Sequence, residues 1–198
     1  MRKWIGGICV FLGVVCILSA IGFVAYNRWE ADSAEQIARD ILAEVQGVIA
    51  EKTITPDDAE KASSEMATVE VDGYDCIGIL SVPVLELELP VLTDWSYAKL
   101  KKAPCHYYGT YYEKDFVIAA HNYKSHFGRL AELQAGDIVT FTDANGVAHY
   151  YEVVLLETLP KNATEEMIAS GFDLSLYTCT PGGANRVTVR CNAVGHSE

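Results

Sequence analysis

The hydrophobic positions follow three patterns along the chain, and each pattern predicts a different kind of element. Residues 4–26 form an uncharged stretch of 23 residues, long enough to cross a membrane core as a helix. Residues 33–52 place apolar side chains three or four positions apart, which predicts an amphipathic helix. After residue 74, short apolar runs with alternating polar positions predict a mainly β domain.

The β region consists of short runs broken by turn residues. Strands are predicted at residues 76–84, 87–92, 116–120, 137–142, 147–158, 174–179 and 187–194, with a hairpin turn at residues 143–146. Short helices are predicted at residues 95–102 and 163–170, the second capped by Asn162, with a helical turn at residues 127–133. Many short strands with few helices indicate a closed or nearly closed β-barrel.

These patterns divide the chain into three predicted segments. Residues 1–27 form a transmembrane signal anchor, residues 28–73 an acidic helical stalk and residues 74–198 the β domain. Residues 28–75 carry 13 acidic and 4 basic side chains, which favours a solvated stalk. The alternative is a lid or partner helix that packs on the β domain and regulates access to its site.

The ends of the stalk helices follow from local signals. Asp32 or Ser33 is the expected N-cap of the amphipathic helix. Pro56 is expected to break the helical pattern, and residues 57–67 are predicted to form a second short helix.

The charge distribution excludes one class of partner and predicts an orientation. The formal net charge of -12 makes nucleic-acid binding unfavourable, because neutralising phosphates requires clustered Lys and Arg. Arg2 and Lys3 precede the apolar stretch and acidic residues follow it, which places the N-terminus in the cytoplasm and the β domain outside the cell. A cleaved signal peptide would have a shorter apolar region, so an uncleaved anchor is favoured.

The candidate nucleophile is a cysteine at the end of a predicted strand. Cys179 precedes a Thr-Pro-Gly-Gly loop, and Arg186 and Arg190 follow on one face of the next strand. A nearby positive charge lowers the pKa of a thiol and favours the thiolate. The alternative is that Cys179 forms a disulfide with one of the other exported cysteines, which are Cys76, Cys105 and Cys191.

The candidate acid or base is His121. It follows four apolar residues and precedes Asn122, so it lies where a buried strand meets a polar loop. His106, His149 and His196 lie in a Tyr-rich loop, on an exposed hairpin strand and in the C-terminal tail, respectively. A lone histidine at a strand end is usually structural, but the Cys and Arg pattern favours His121 as a proton carrier.

These motifs resemble those of the sortases, membrane-anchored cysteine transpeptidases of Gram-positive bacteria. The family signature TLxTC corresponds to residues 175–179, and its R-x-x-V pattern to residues 186–189. Its histidine motif corresponds to residues 120–122, followed by Phe-Gly-x-Leu at residues 127–130. Further similarity lies at residues 77–80, 89–91 and 103–107, so the resemblance covers about residues 74–194 in the family's order. Two departures, Ser175 for Thr and Ala120 for Gly, remove no reactive group.

The resemblance implies a fold and roles for particular residues. The fold would be a closed sortase-type barrel of about eight strands. Cys179 would be the nucleophile, His121 the general acid and base, and Arg186 the group that stabilises the oxyanion, with Arg190 the competing arginine. Thr178 and Asn122, beside the cysteine and the histidine, are the candidate substrate-binding residues.

The implied reaction cleaves an LPxTG-like sorting motif of a secreted protein, forms a thioester at Cys179 and transfers the protein to an amine. The amine would belong to a peptidoglycan precursor or to a pilin lysine, and the motifs resemble both class D and class B sortases. No cofactor or metal is expected from the residue spacing, and calcium dependence stays open. An L,D-transpeptidase would have the histidine beside the cysteine, in a Ser-His-Gly-Cys type motif that is absent here, and a papain-like peptidase has the cysteine before the histidine. The remaining alternative is a non-catalytic, membrane-tethered β-barrel that binds wall or protein ligands.

Overall fold

The computed structural model describes residues 2–51 and 66–195. Its helices are α1 (Arg2–Glu51), α2 (Tyr97–Leu100) and α3 (Thr164–Ile168), with 3₁₀ turns at Pro83–Leu85 and Leu130–Glu132. Its strands are β1 (Val69–Val71), β2 (Tyr74–Val82), β3 (Leu87–Leu92), β4 (Cys105–Tyr108), β5 (Phe116–Ala119), β6 (Ile138–Asp143), β7 (Ala148–Pro160), β8 (Leu174–Cys179) and β9 (Asn185–Ala193).

Helix α1 is continuous from Arg2 to Glu51, and by length and composition it contains a segment able to cross a membrane. The predicted helix start at Asp32 or Ser33 is therefore wrong. No Gly or Pro occurs between residues 23 and 46, so the transmembrane pattern passes directly into the amphipathic one. The predicted break at Pro56 lies outside the described residues, as does nearly all of the second helix.

The chain divides into two compact units, Met1–Ser33 and Ala34–Glu198. In the second unit, the last part of α1 buries one stripe of apolar side chains, as its amphipathic pattern predicts. Ile41 and Val45 join a cluster with Val69 and other residues of the sheet, and their side chains are almost fully buried. This part of α1 is therefore a partner helix of the β domain.

The strands form one sheet in the order β1-β2-β3-β4-β5-β8-β9-β7-β6, and β6 pairs again with β2. Strands β2 to β9 thus close an eight-stranded barrel, and β1 extends the edge of β2, which confirms the predicted fold class. At the closure, a Cβ on Gly78 would lie 2.1 Å from the carbonyl oxygen of Thr142. Glycine is therefore required where β2 and β6 meet.

Several local predictions are corrected by the structure. Strand β4 lies where a Tyr-rich loop was expected, and β1 was not predicted. Asn162 does not cap α3, because Ala163 occupies the N-cap position without a side-chain hydrogen bond.

The two strands that carry the candidate site lie beside each other in the middle of the sheet. Strand β5 is buried along its whole length and pairs in parallel with β8, which pairs antiparallel with β9. Because parallel strands end at the same edge of a sheet, the residues after β5 and the last residue of β8 reach one end of the barrel. This end carries His121 and Cys179.

Candidate active site

Cys179 is the exposed cysteine of the barrel. The thiols of Cys76, Cys105 and Cys191 are buried, and burial raises the pKa of each to about 12. None of the four forms a disulfide, which answers the alternative raised by the sequence for this part of the chain. Among the described residues of the barrel, only the Cys179 thiol is therefore placed to react with a molecule from solvent.

Arg186 lies directly across the sheet from this thiol. The register of β8 and β9 pairs Cys179 with Arg186, and the connecting loop is closed by a hydrogen bond from the Thr180 amide to the Asn185 carbonyl at 3.0 Å. One terminal nitrogen of Arg186 donates to the carbonyls of Gly183 and Asn185, at 3.1 and 3.0 Å. The guanidinium is thus held over the hairpin loop, next to the cysteine.

Arg190 lies on the same face of β9 but is withdrawn from the cleft. Its side chain is 1% exposed and forms an ion pair with Glu157 at 2.8 Å. It also donates to the hydroxyl of Ser175 at 2.8 Å and to the carbonyls of Glu166 and Met167, at 2.6 and 3.4 Å. The two latter residues belong to α3, so this helix covers Arg190.

Backbone and side-chain hydrogen bonds join the strand that ends at Cys179 to the residue before His121. The Ala120 amide donates to the Tyr177 carbonyl at 3.2 Å, and the Thr178 hydroxyl donates to the Ala120 carbonyl at 2.9 Å. Thr178 is 3% exposed, so its hydroxyl fixes the fold at this point. The half-buried ring of His121 stacks on Tyr123, with ring centroids 4.1 Å apart and planes 15° apart.

Cys179 and Arg186 line one cavity of about 140 Å³. Aromatic rings form a continuous row along it: Trp95 contacts Tyr107 at a centroid distance of 5.7 Å, and Tyr107 meets Tyr177 edge-to-face at 5.3 Å. Burial raises the pKa of Tyr177 well above its usual value, so this wall of the cavity is uncharged. The cavity therefore combines one thiol and the two basic side chains of Arg186 and Lys161 with an aromatic surface.

The residues that converge at this end of the barrel are those of the sortase motifs, and a comparison with family models gives the same result. The model of the Sortase domain matches residues 80–194. The chain belongs to the sortase family. Membership implies a cysteine transpeptidase, and it confirms the resemblance found in the motifs.

Solved sortase structures share the fold. A Clostridium perfringens sortase D5 transpeptidase superposes with a TM-score of 0.64 at 18% identity, over 81% of this chain and 99% of that chain. Sortase C1 from Streptococcus agalactiae superposes with a TM-score of 0.58 at 23% identity, over 74% of this chain and 80% of that chain. Sortase C1 from Streptococcus suis superposes with a TM-score of 0.56 at 24% identity, over 79% of this chain and 96% of that chain. No curated protein sequence matches the chain.

The sequence patterns missed two groups beside the sortase site. His126 is fully buried five residues after His121, and Tyr123 lies between the two rings. Their loop has no periodic pattern, so burial here had no signal in the sequence. Asn122 is partly exposed next to His121 and stays a predicted substrate-binding residue. In residues 2–51 and 66–195, no three carboxylate, thiol or imidazole groups converge to hold a metal ion.

Proposed function

We propose that this chain is a sortase that cleaves an LPxTG-like motif and transfers the released acyl group to an amine, with Cys179, His121 and Arg186 as its catalytic residues. The observation that carries the proposal is the exposed Cys179 thiol opposite Arg186 in a cavity with a row of aromatic rings. A thiol in such a place can reach a peptide carbonyl, whereas the buried thiols of the barrel cannot.

In the first step, the Cys179 thiolate attacks the carbonyl carbon of the sorting motif. Negative charge develops on the carbonyl oxygen, and the Arg186 guanidinium stabilises this charge. A fixed donor at such a position accelerates acyl transfer by about a hundredfold or more. Arg186 takes this role rather than Arg190, because the donors of Arg190 are used by Glu157, Ser175 and α3.

In the second step, His121 donates a proton to the amide nitrogen that leaves, and a thioester remains on Cys179. An amine then attacks the thioester, and His121 accepts a proton from it. Proton transfer of this kind contributes about 10² to 10⁴ in rate. Transfer to an amine makes the protein an acyltransferase, and transfer to water would make it a thiol protease.

The aromatic row beside Cys179 would receive the apolar residues of the sorting motif. Tyr107, Tyr177 and Trp95 present ring faces and edges against which leucine and proline side chains pack well. We assign Thr178 to positioning, since it is buried and its hydroxyl donates to Ala120, and we keep Asn122 as a substrate-binding candidate.

The proposed setting is the outer face of the cell membrane of a Gram-positive bacterium. Residues 1–27 would anchor the chain with a cytoplasmic N-terminus, and residues 74–198 would form the extracellular catalytic domain. Residues 28–73 would link the two, and the part of this linker that includes Ile41 and Val45 packs on the barrel. One structural neighbour is described as a sortase C1 of a pilus island. The acceptor is accordingly a pilin lysine or a peptidoglycan amine, and both acceptors belong in the test.

The test uses the full chain in detergent, a set of LPxTG-like peptides, and either a pilin-type lysine peptide or a peptidoglycan cross-bridge peptide as the amine. Mass spectrometry should detect a thioester on Cys179 and an amine-dependent product. The product should be lost in Cys179→Ala, His121→Ala and Arg186→Ala. If Cys179 stays unmodified by every peptide while the barrel binds wall or protein ligands, the non-catalytic binding module replaces this proposal.

A further inference from the structure

We infer that Tyr123 and His126 act as positioning residues that hold the imidazole of His121 at the end of the barrel that carries Cys179. This inference rests on the proposed role of His121 as the general acid and base. His121 lies in the segment between β5 and the 3₁₀ turn at Leu130–Glu132, where no strand or helix orients its ring. The ring contact that the structure gives for His121 lies within that loop, where the ring stacks on Tyr123.

The backbone of the loop folds tightly around Tyr123. The amides of His126 and Gly128 both donate to the Tyr123 carbonyl, at 3.0 and 2.9 Å, and the Phe127 amide donates to the His121 carbonyl at 3.2 Å. A Cβ at Gly128 would lie 2.6 Å from the Asn122 carbonyl oxygen, so the turn has no room for a larger residue. The relative places of the three rings are thus set by the fold of the loop.

The three rings form a column that runs from half-buried His121 to fully buried His126. The rings of His121 and Tyr123 are stacked, with centroids 4.1 Å apart and planes 15° apart. Tyr123 in turn meets His126 edge-to-face, with centroids 5.6 Å apart and planes 60° apart. The His126 side chain is fully buried, so the column has a fixed inner end.

The inner end of the column meets helix α1. Burial lowers the pKa of His126 to about 4, the charge of His121 also lowers it, and the backbone of Ala34 on α1 opposes both effects. Ala34 is 1% exposed and belongs to the same compact unit as the barrel. A helix is a more rigid support than a loop, and here it lies behind the ring that supports Tyr123.

The contacts of His126 indicate that its ring acts by packing. Neither of its ring nitrogens makes a hydrogen bond of normal geometry with the described residues. Burial keeps His126 neutral at neutral pH, so its ring does not serve as a proton carrier. An aromatic ring of similar size should therefore replace His126, whereas a small side chain should not.

The experiment compares two kinds of substitution in the full chain in detergent, with a fluorogenic LPxTG-like peptide and a fixed amine. Tyr123→Leu and His126→Ala should lower kcat by about tenfold or more while KM changes by less than about twofold, because misplacing a catalytic group slows chemistry. Tyr123→Phe and His126→Phe should keep about half of kcat or more. Lys124→Ala, an exposed neighbour in the same loop, is the matched control and should be unchanged.

A second measurement reports the ring stack directly and does not depend on turnover. With labelled histidine, the NMR signal of the His121 Cε1 proton should shift in Tyr123→Leu, because the ring current of the stacked tyrosine is lost. The signal should stay close to its wild-type position in Tyr123→Phe. An unmoved signal in Tyr123→Leu would overturn the inference even if the His126 variants fold poorly.

Two outcomes separate this inference from the proposed function. If His121→Ala keeps full transpeptidase activity, the proposed role of His121 is wrong and the inference falls with it. If His121→Ala loses activity while Tyr123→Leu and His126→Ala keep wild-type kcat, only the positioning role is wrong.

Discussion

Arg186 and Arg190 lie on one face of one strand, yet their surroundings differ completely. Arg186 lines the cleft beside Cys179 and donates to two carbonyls of its own hairpin loop. Arg190 is buried under α3 and bonded to the carboxylate of Glu157. Two side chains of the same residue type on one strand can therefore have different roles. The elements that cover a charged side chain decide whether it serves chemistry or the fold.

His121 and His126 repeat this division in the loop after β5. His121 is half-buried, whereas His126 is fully buried and Tyr123 lies between the two rings. Arg186 and His121 are the more exposed members of the two pairs and are the proposed catalytic groups. The buried members, Arg190 and His126, support the elements around them. Arg190 supports α3, which lines the cleft through Met167, and His126 supports the ring on which His121 stacks.

We expect the largest change in the free energy of unfolding from substitution of the buried Arg190. Arg190→Ala leaves Glu157 without its ion pair and removes the donors to Ser175 and to the end of α3. Hydrogen bonds to charged groups contribute about 1.5 to 3 kcal/mol each, and several are lost here, so thermal unfolding should occur at a clearly lower temperature. Arg186→Ala is the matched control on the same strand and should cost less than about 1 kcal/mol. Equal losses in the two variants would contradict the division between them.

Substitution of Arg186 should lower activity strongly and change stability little. Arg186→Ala should lower kcat/KM for the sorting peptide by about a hundredfold or more, since charge on the carbonyl oxygen is then unstabilised. Arg186→Lys should restore only part of the activity, because an ammonium cannot reproduce the planar donor geometry of a guanidinium. Steady-state kinetics of folded protein at one temperature provide the measurement. A small loss in Arg186→Ala would instead favour a backbone oxyanion site.

His126 should make the free energy of unfolding decrease at acid pH. Its pKa falls from 6.5 to about 4 on folding, so the folded state binds fewer protons than the unfolded state. The stability is fully present above about pH 6.5 and is lost as the pH falls toward 4, by about 2 kcal/mol between pH 7 and pH 5. His126→Phe should remove this part of the pH dependence. An identical slope in wild type and His126→Phe would show that other groups cause it.

Much of the fold followed from local patterns. The apolar stretch in α1 and the alternation in β2, β3 and β8 are periodic within single elements, so neighbouring residues are enough to detect them. The hairpin that places Cys179 opposite Arg186 is also local, because a short Gly-containing loop joins the two strands. Strand β4 was missed because its Tyr-rich sequence shows no clear alternation.

Other features depend on residues far apart in the chain. The barrel closes through the pairing of β2 with β6, and the need for Gly78 appears only when the Thr142 carbonyl lies against it. Helix α1 continues through the predicted N-cap at Ser33, because a capping residue has no effect where the helix has already begun. No local pattern contains this information.

The sequence by itself determined that the chain has a membrane-length helix, a mainly β domain and the ordered motifs of a sortase. It also predicted a positive charge, from Arg186 or Arg190, near Cys179. Only the tertiary structure decided which arginine remains at the cleft and which histidine is buried. The physical reason is that burial depends on covering elements, here α3 over Arg190 and helix α1 behind His126, which are distant in the chain.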